Sequence, residues 1–147
     1  MSAGRFPPAV KYILGNEACE RFSFYGMTTI LVPYMQQFLG WQRNRAEGVY
    51  HDVIFAAYAM TVLGAWLSDR FFGRYRTILW LSYGYVAGHA VLAAMDVAPG
   101  ARATLLFLGM SLIVLGQSGI KPNLSAFVGD QFSQGEAGLL DRVYSLF

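Results

Sequence analysis

Apolar side chains run along this chain in four long stretches. From Phe22 to Trp41 no residue carries a charge, and a run of that length is about what one helix needs to cross the hydrocarbon core of a bilayer. The pattern predicts a first crossing over about 13–39. Pro33 lies inside it as a kink, which membrane helices tolerate when neighbours satisfy the freed carbonyl. Val53 to Ser68 is uncharged and, with the few residues before it, predicts a second crossing over about 50–68. Thr77 to Met95, interrupted only by His89, predicts a third (77–95). Ala103 to Ile120 predicts a fourth (103–121), closed by Lys121-Pro122, where the proline forces a break or bend. Trp41 to Asp52 reads as a first loop, Asp69 to Arg76 as a tight basic connection, 96–101 as a turn around Pro99-Gly100, and Asp130 to Arg142 as a polar loop. Val143 to Phe147 turns apolar again and predicts a fifth helix beginning near 143. Residues 1–12, broken at Pro7-Pro8, form an N-terminal arm, and 13–147 a partial transmembrane bundle. The expected class is an all-α membrane protein, because the runs lack the polar face of a soluble surface helix.

Composition sharpens this picture. The 147 residues are 55% hydrophobic and 14% charged, against about 25% charged in soluble domains. A net charge of +2 without any basic run gives no purchase on nucleic acid. A single cysteine, Cys19, excludes an internal disulfide, and with His51 and His89 far apart no metal-ligand spacing exists. Residues 1–11 do not carry the continuous apolar core of a signal peptide. With the N-terminus cytoplasmic, Arg5, Lys11, Arg70, Arg74, Arg76 and Arg142 lie inside, and Arg43, Arg45 and Arg102 outside. That asymmetry favours a cytoplasmic N-terminus.

Candidate chemistry gathers at three places. Glu17, Glu20 and Arg21 stand at the mouth of the first run, and at helical spacing they share a face that Phe24 and Thr28 continue. Ionisable groups there are costly in lipid and should face protein or water. Two readings stay open. In one, Arg21 holds one carboxylate ionised while the other takes a proton near neutral pH. In the other, the cluster snorkels to the headgroups. Lys121 closes the fourth run at similar depth, so an ion pair with Glu17 or Glu20 is geometrically possible, and Gly116, Ser118 and Gly119 beside it allow close helix approach. The stretch from Gly64 through Asp69, Arg70 and Gly73 to Arg74 suits a charged latch between helices. The hydroxyls of Tyr25 and Tyr58 need partners or a wet cavity. No set of residues supports an enzymatic reading.

Asn16-Glu17 through Arg21-Phe22 to Tyr25-Gly26-Met27 resembles the ExxERF motif of the proton-dependent oligopeptide transporters, the POT or PTR family of the major facilitator superfamily. Gly64 to Arg76 is similar to that superfamily's loop between helices two and three, and Gly116 to Asn123 with Ser125 to Phe132 resembles the fourth-helix segment and the loop after it. The resemblance implies the first four helices, and the start of a fifth, of an N-terminal bundle. It implies symport of di- and tripeptides with protons as the coupling ion and no other cofactor. Glu17, Glu20, Arg21 and Lys121 would form the proton-coupling cluster. Tyr25 and Tyr58, with Arg21 and Lys121, would face substrate, and Asp69, Arg70 and Arg74 would form a cytoplasmic latch. Thr28 stands where many members have arginine, and Phe24 where tyrosine is common. The implied partners are the lipid bilayer, short peptides and a C-terminal half of the same transporter; the expected location is a plasma membrane, a bacterial inner membrane in particular. The expectation is an N-terminal piece of a longer transporter. The alternatives are a truncated, non-transporting four-helix protein that binds a partner, and a family member that carries another small solute.

Overall fold

The computed structural model describes residues 6–132 and 137–146. Among them lie four long helices and a short one, α1 (Pro8–Leu39), α2 (Arg43–Leu67), α3 (Arg74–Ala93), α4 (Arg102–Gly129) and α5 (Ala137–Tyr144), and no strand. α1 begins at Pro8, earlier than the expected 13. A proline is suited to the first helical position, where its missing N–H would have no partner anyway. At the other end Gly40 takes a φ of 65°, and the N–H groups of Gly40 and Trp41 turn back onto the Met35 carbonyl. α2 starts at Arg43, inside the stretch expected to be a loop. An Arg43–Glu47 pair (2.7 Å), one turn apart, holds that charged first turn in helix.

A five-residue π turn (Ser68–Phe72) and Gly73, at φ 74°, lead from α2 into α3. Short 3-10 turns at Ala94–Asp96 and Pro99–Ala101 make the α3–α4 corner. α4 does not stop at Lys121-Pro122 but continues to Gly129. Pro122 removes only the N–H that would have bonded the Ser118 carbonyl. The Asn123 side chain donates to the neighbouring Gly119 carbonyl at 2.9 Å, so the helix carries on through the proline. α5 occupies the second part of the expected 130–142 loop. It is fastened by Val143, which is fully buried, and by the Tyr144 hydroxyl, which donates to the Ser125 carbonyl at 3.3 Å.

α4 is the axis of the bundle. It packs along α3 and α2, and α1 lies across α2 and α4. Small residues set the spacing. A Cβ on Gly116 would come within 2.5 Å of the Tyr85 nitrogen, and one on Gly88 within 2.8 Å of the Gly109 carbonyl oxygen. A Cβ on Gly64 would overlap the Ser118 carbonyl, the group left free by Pro122. Among the described residues, three segments are long and apolar enough to cross a membrane: Arg43–Phe72, Arg74–Asp96 and Pro99–Gly129. α1, at 32 residues, has the length, but Glu17, Glu20, Arg21, Gln36 and Gln37 dilute its apolar character.

Candidate functional site

The inward stripe of α1 consists of Ile13, Glu20, Phe24, Met27 or Thr28, Leu31 and Met35, all buried. It is the face expected from helical spacing, with one refinement: of the three charged residues only Glu20 turns fully inward. Glu20 is 3% exposed, and neither of its carboxylate oxygens has a hydrogen-bond partner among the described residues. Glu17 is half-buried and accepts a hydrogen bond from Arg21 Nε one turn on, while Arg21 itself is 47% exposed. The two carboxylates are therefore unlike: Glu17 is paired, and Glu20 is not.

α4 supplies the facing cation. Lys121 makes no direct ion pair with Glu17 or Glu20. Its Nζ lies 4.9 Å from the ring centroid of Phe24 on α1 and 4.9 Å from that of Tyr58 on α2. Two aromatic faces hold an ammonium by their quadrupoles while leaving its three N–H donors free to reach a passing acceptor. The charged groups near enough to act on Glu20 are Lys121, Glu17 and Arg21. The structure thus brings Glu20, Lys121, Phe24 and Tyr58 into one neighbourhood built from three helices. Tyr25 is half-exposed on the next turn of α1, its ring edge-on to Phe24 at 6.0 Å. Thr28, buried, gives its hydroxyl to the Tyr25 carbonyl of its own helix at 3.1 Å.

Further along α4, Arg74 Nη1 lies 2.7 Å from both carboxylate oxygens of Asp130, just past the helix end. Asp69 and Arg70 are exposed beside this pair, and Asp69, Arg74 and Asp130 line one shallow surface hollow with Ser68, Gly73, Tyr75 and Phe127. Of the three expected latch residues, Arg74 is the one held in a bridge, and its partner Asp130 was not foreseen.

Two other polar groups, Tyr85 and Gln117, escaped sequence reasoning. Tyr85, on α3, is buried; its hydroxyl lies 2.8 Å from Ser23 Oγ and donates to the Glu20 carbonyl at 3.1 Å. Gln117, one turn before Lys121 on α4, is fully buried, and its amide has no hydrogen-bond partner among the described residues. His89 packs edge-on against Tyr85, with ring centroids 4.8 Å apart. The cost of burying a hydroxyl singled out Tyr25 and Tyr58, and the same argument applied to Tyr85 would have found it.

Comparison with known proteins places this arrangement. The sequence model of the POT family matches residues 75–147. The chain is 36% identical over 160 residues to solute carrier family 15 member 1 of Oryctolagus cuniculus, covering 100% of this chain and 23% of that protein. It is 39% identical to solute carrier family 15 member 2 of Homo sapiens, over 97% of this chain and 20% of that one. Among solved structures it superposes on the POT family transporter PepTSo with a TM-score of 0.87 at 40% identity, over 97% of this chain and 29% of that one. A further POT peptide transporter, solved as an E310Q mutant, gives 0.87 at 35% identity. The chain spans about a quarter of the length of these relatives. It belongs to the POT family of multi-pass membrane transporters, and α1 to α4 with the short α5 are the opening part of that family's N-terminal transmembrane bundle.

Proposed function

We propose that this chain acts as the N-terminal part of a longer transporter that imports di- and tripeptides together with protons, across a plasma membrane and with its N-terminus cytoplasmic. The observation that supports the reading is the Glu20–Lys121 neighbourhood: a buried carboxylate without a hydrogen-bond donor among the described residues, faced by an ammonium seated against two aromatic rings. When Glu20 is ionised, its charge attracts Lys121 across the bundle. A proton on Glu20 removes that attraction, and the three donors of Lys121 become available to the carboxylate of a peptide. Glu17 stays paired with Arg21 through the cycle and keeps the α1 turn in place. Tyr58, already against Lys121, and Tyr25, half-exposed one turn beyond Arg21, would line the peptide's path. Asp69, Arg70 and Arg74, with Asp130, would serve as the cytoplasmic latch that opens and closes as the bundle rocks.

The test is uptake of a labelled dipeptide by the intact transporter in proteoliposomes, with and without an inward proton gradient. The gradient is expected to accelerate uptake, and Glu20→Gln, which keeps the shape and removes the titrating group, is expected to abolish that acceleration. Unchanged gradient-driven uptake in Glu20→Gln would sink the coupling role.

One observation favours a second reading, in which the cargo is another small solute. Thr28 brings no cation to the site, and its hydroxyl is spent on its own helix. Competition decides between the two: a peptide carrier loses labelled uptake to unlabelled dipeptide and retains it when the competing dipeptide has an amidated C-terminus.

A further inference from the structure

We propose that Tyr85 is a positioning residue of the coupling site, holding the turn of α1 that carries Glu20 against the α3–α4 pair. The proposal rests on the proton-symport reading above and adds the part that refers Glu20 to Lys121. Among the described residues, the side-chain hydrogen bonds joining α1 to another helix all run through the Tyr85 hydroxyl. One reaches the backbone carbonyl of Glu20 (3.1 Å), the other Ser23 Oγ (2.8 Å). Ser23 is itself tied to the same turn, with its Oγ 2.7 Å from the Cys19 carbonyl and 3.1 Å from that of Glu20. The anchor therefore grips the backbone of Glu20 and leaves its carboxylate alone.

The other end of Tyr85 is equally fixed. Its backbone nitrogen lies where a Cβ on Gly116 of α4 would come within 2.5 Å. Such proximity lets α4 and α3 meet backbone to backbone, so they move as one body. Lys121 is little more than one turn further along α4. A continuous path then runs from the helix bearing the cation, through Gly116 and Tyr85, to the backbone of the carboxylate. Elsewhere α1 is held by side-chain packing on α2 and α4, which resists separation but is less directional than a hydrogen bond. A change of charge at Glu20 alters the pull of Lys121 on α1. With Tyr85 in place that pull acts between fixed points, whereas without the hydroxyl the turn can slide and the change of charge is not converted into movement of the bundle. Tyr85 touches neither peptide nor proton in this scheme, and its role is exerted through Glu20.

The readout separates coupling from folding. In proteoliposomes containing the intact transporter, labelled dipeptide is followed in two modes: uptake driven by an inward proton gradient, and counterflow, in which unlabelled dipeptide inside exchanges with labelled dipeptide outside without an imposed gradient. Tyr85→Phe keeps the ring against His89 and the backbone against Gly116, and loses only the hydroxyl. Counterflow is expected to stay near the unsubstituted level while driven uptake falls by up to about tenfold, the equilibrium weight of one hydrogen bond. Ser23→Ala, which removes one of the two partners, should lower driven uptake in the same direction by less. Tyr85→Phe leaving both modes unchanged, or lowering both by the same factor, overturns the proposal. If Tyr85→Phe does not accumulate in the membrane, Ser23→Ala decides by the same comparison. The symport reading fails separately, in the controls: the unsubstituted protein would show no gradient dependence or Glu20→Gln would keep it, and the Tyr85 proposal would fall with it.

Discussion

Gly64 and Pro122 work as a pair. The proline leaves the Ser118 carbonyl without its intrahelical donor, and the glycine lets the backbone of α2 close onto that oxygen. Both partners of the contact are backbone, so neither can swing away from an added methyl. Gly64→Ala is therefore expected to destabilise the bundle by about 1–3 kcal/mol, the usual cost of overpacking. That should be read as a fall of several degrees in the apparent melting temperature of the detergent-solubilised protein. Gly84→Ala is the control: its Cβ would meet Leu112 O at an ordinary 4.0 Å, and replacing glycine in a helix interior gains up to about 1 kcal/mol, so the melting temperature should hold or rise. An equal fall in both variants would refute the pairing. Gly116, Ser118 and Gly119 were visible in the sequence as places where helices could approach, and Gly64 only as part of the latch stretch. Which oxygen Gly64 makes room for was not, because that depends on how α2 is rotated against α4.

Helices were legible where the sequence is monotonous and illegible where it is mixed. Uninterrupted apolar runs marked the bodies of all four long helices, since helix is how a chain satisfies its backbone in lipid. Their ends escaped because helices extend past the membrane into charged turns: Arg43 and Glu47 make helix at the start of α2, and Asn123 carries α4 beyond Pro122. The Arg74–Asp130 bridge escaped for a different reason, since its partners lie 56 residues apart and only the docking of α3 on α4 joins them. Both side chains are partly exposed, at 39% and 46%, so the bridge should contribute no more than about 1 kcal/mol to stability. Arg74→Asp alone is expected to impair transport more than it lowers the melting temperature. The exchange Arg74→Asp with Asp130→Arg should recover part of the lost uptake. No recovery would show that the two residues act separately.

At the scale of the whole molecule, many large side chains on the outer faces are apolar, among them Ile30, Phe55, Val62, Trp80 and Val86, each more than 60% exposed. A surface of that kind is suited to lipid or to further helices of the same protein. The positive charges predict which end is which. In a Cys19→Ser background, Asn44→Cys, in the first turn of α2, should react with a membrane-impermeant maleimide added to intact cells. Arg76→Cys, in the first turn of α3, should react only after permeabilisation. The reverse pattern would invert the topology and with it the cytoplasmic assignment of the latch.

The polar character of α1 bears on how the protein is made. Each charge near the middle of a membrane helix costs roughly 2.5–3.5 kcal/mol during insertion by the translocon, and α1 carries Glu17, Glu20 and Arg21 in its first half. The groups that accommodate that face, Tyr85 on α3 and Lys121 on α4, are synthesised after it. A nascent α1 is then expected to insert poorly until the α3–α4 hairpin arrives, so the proposed coupling site would be the last part of this bundle to settle and the first to suffer when synthesis outruns insertion. A topology reporter fused after Gly40 should show poor insertion, and one fused after Gly129 should show that the same helix has been recovered.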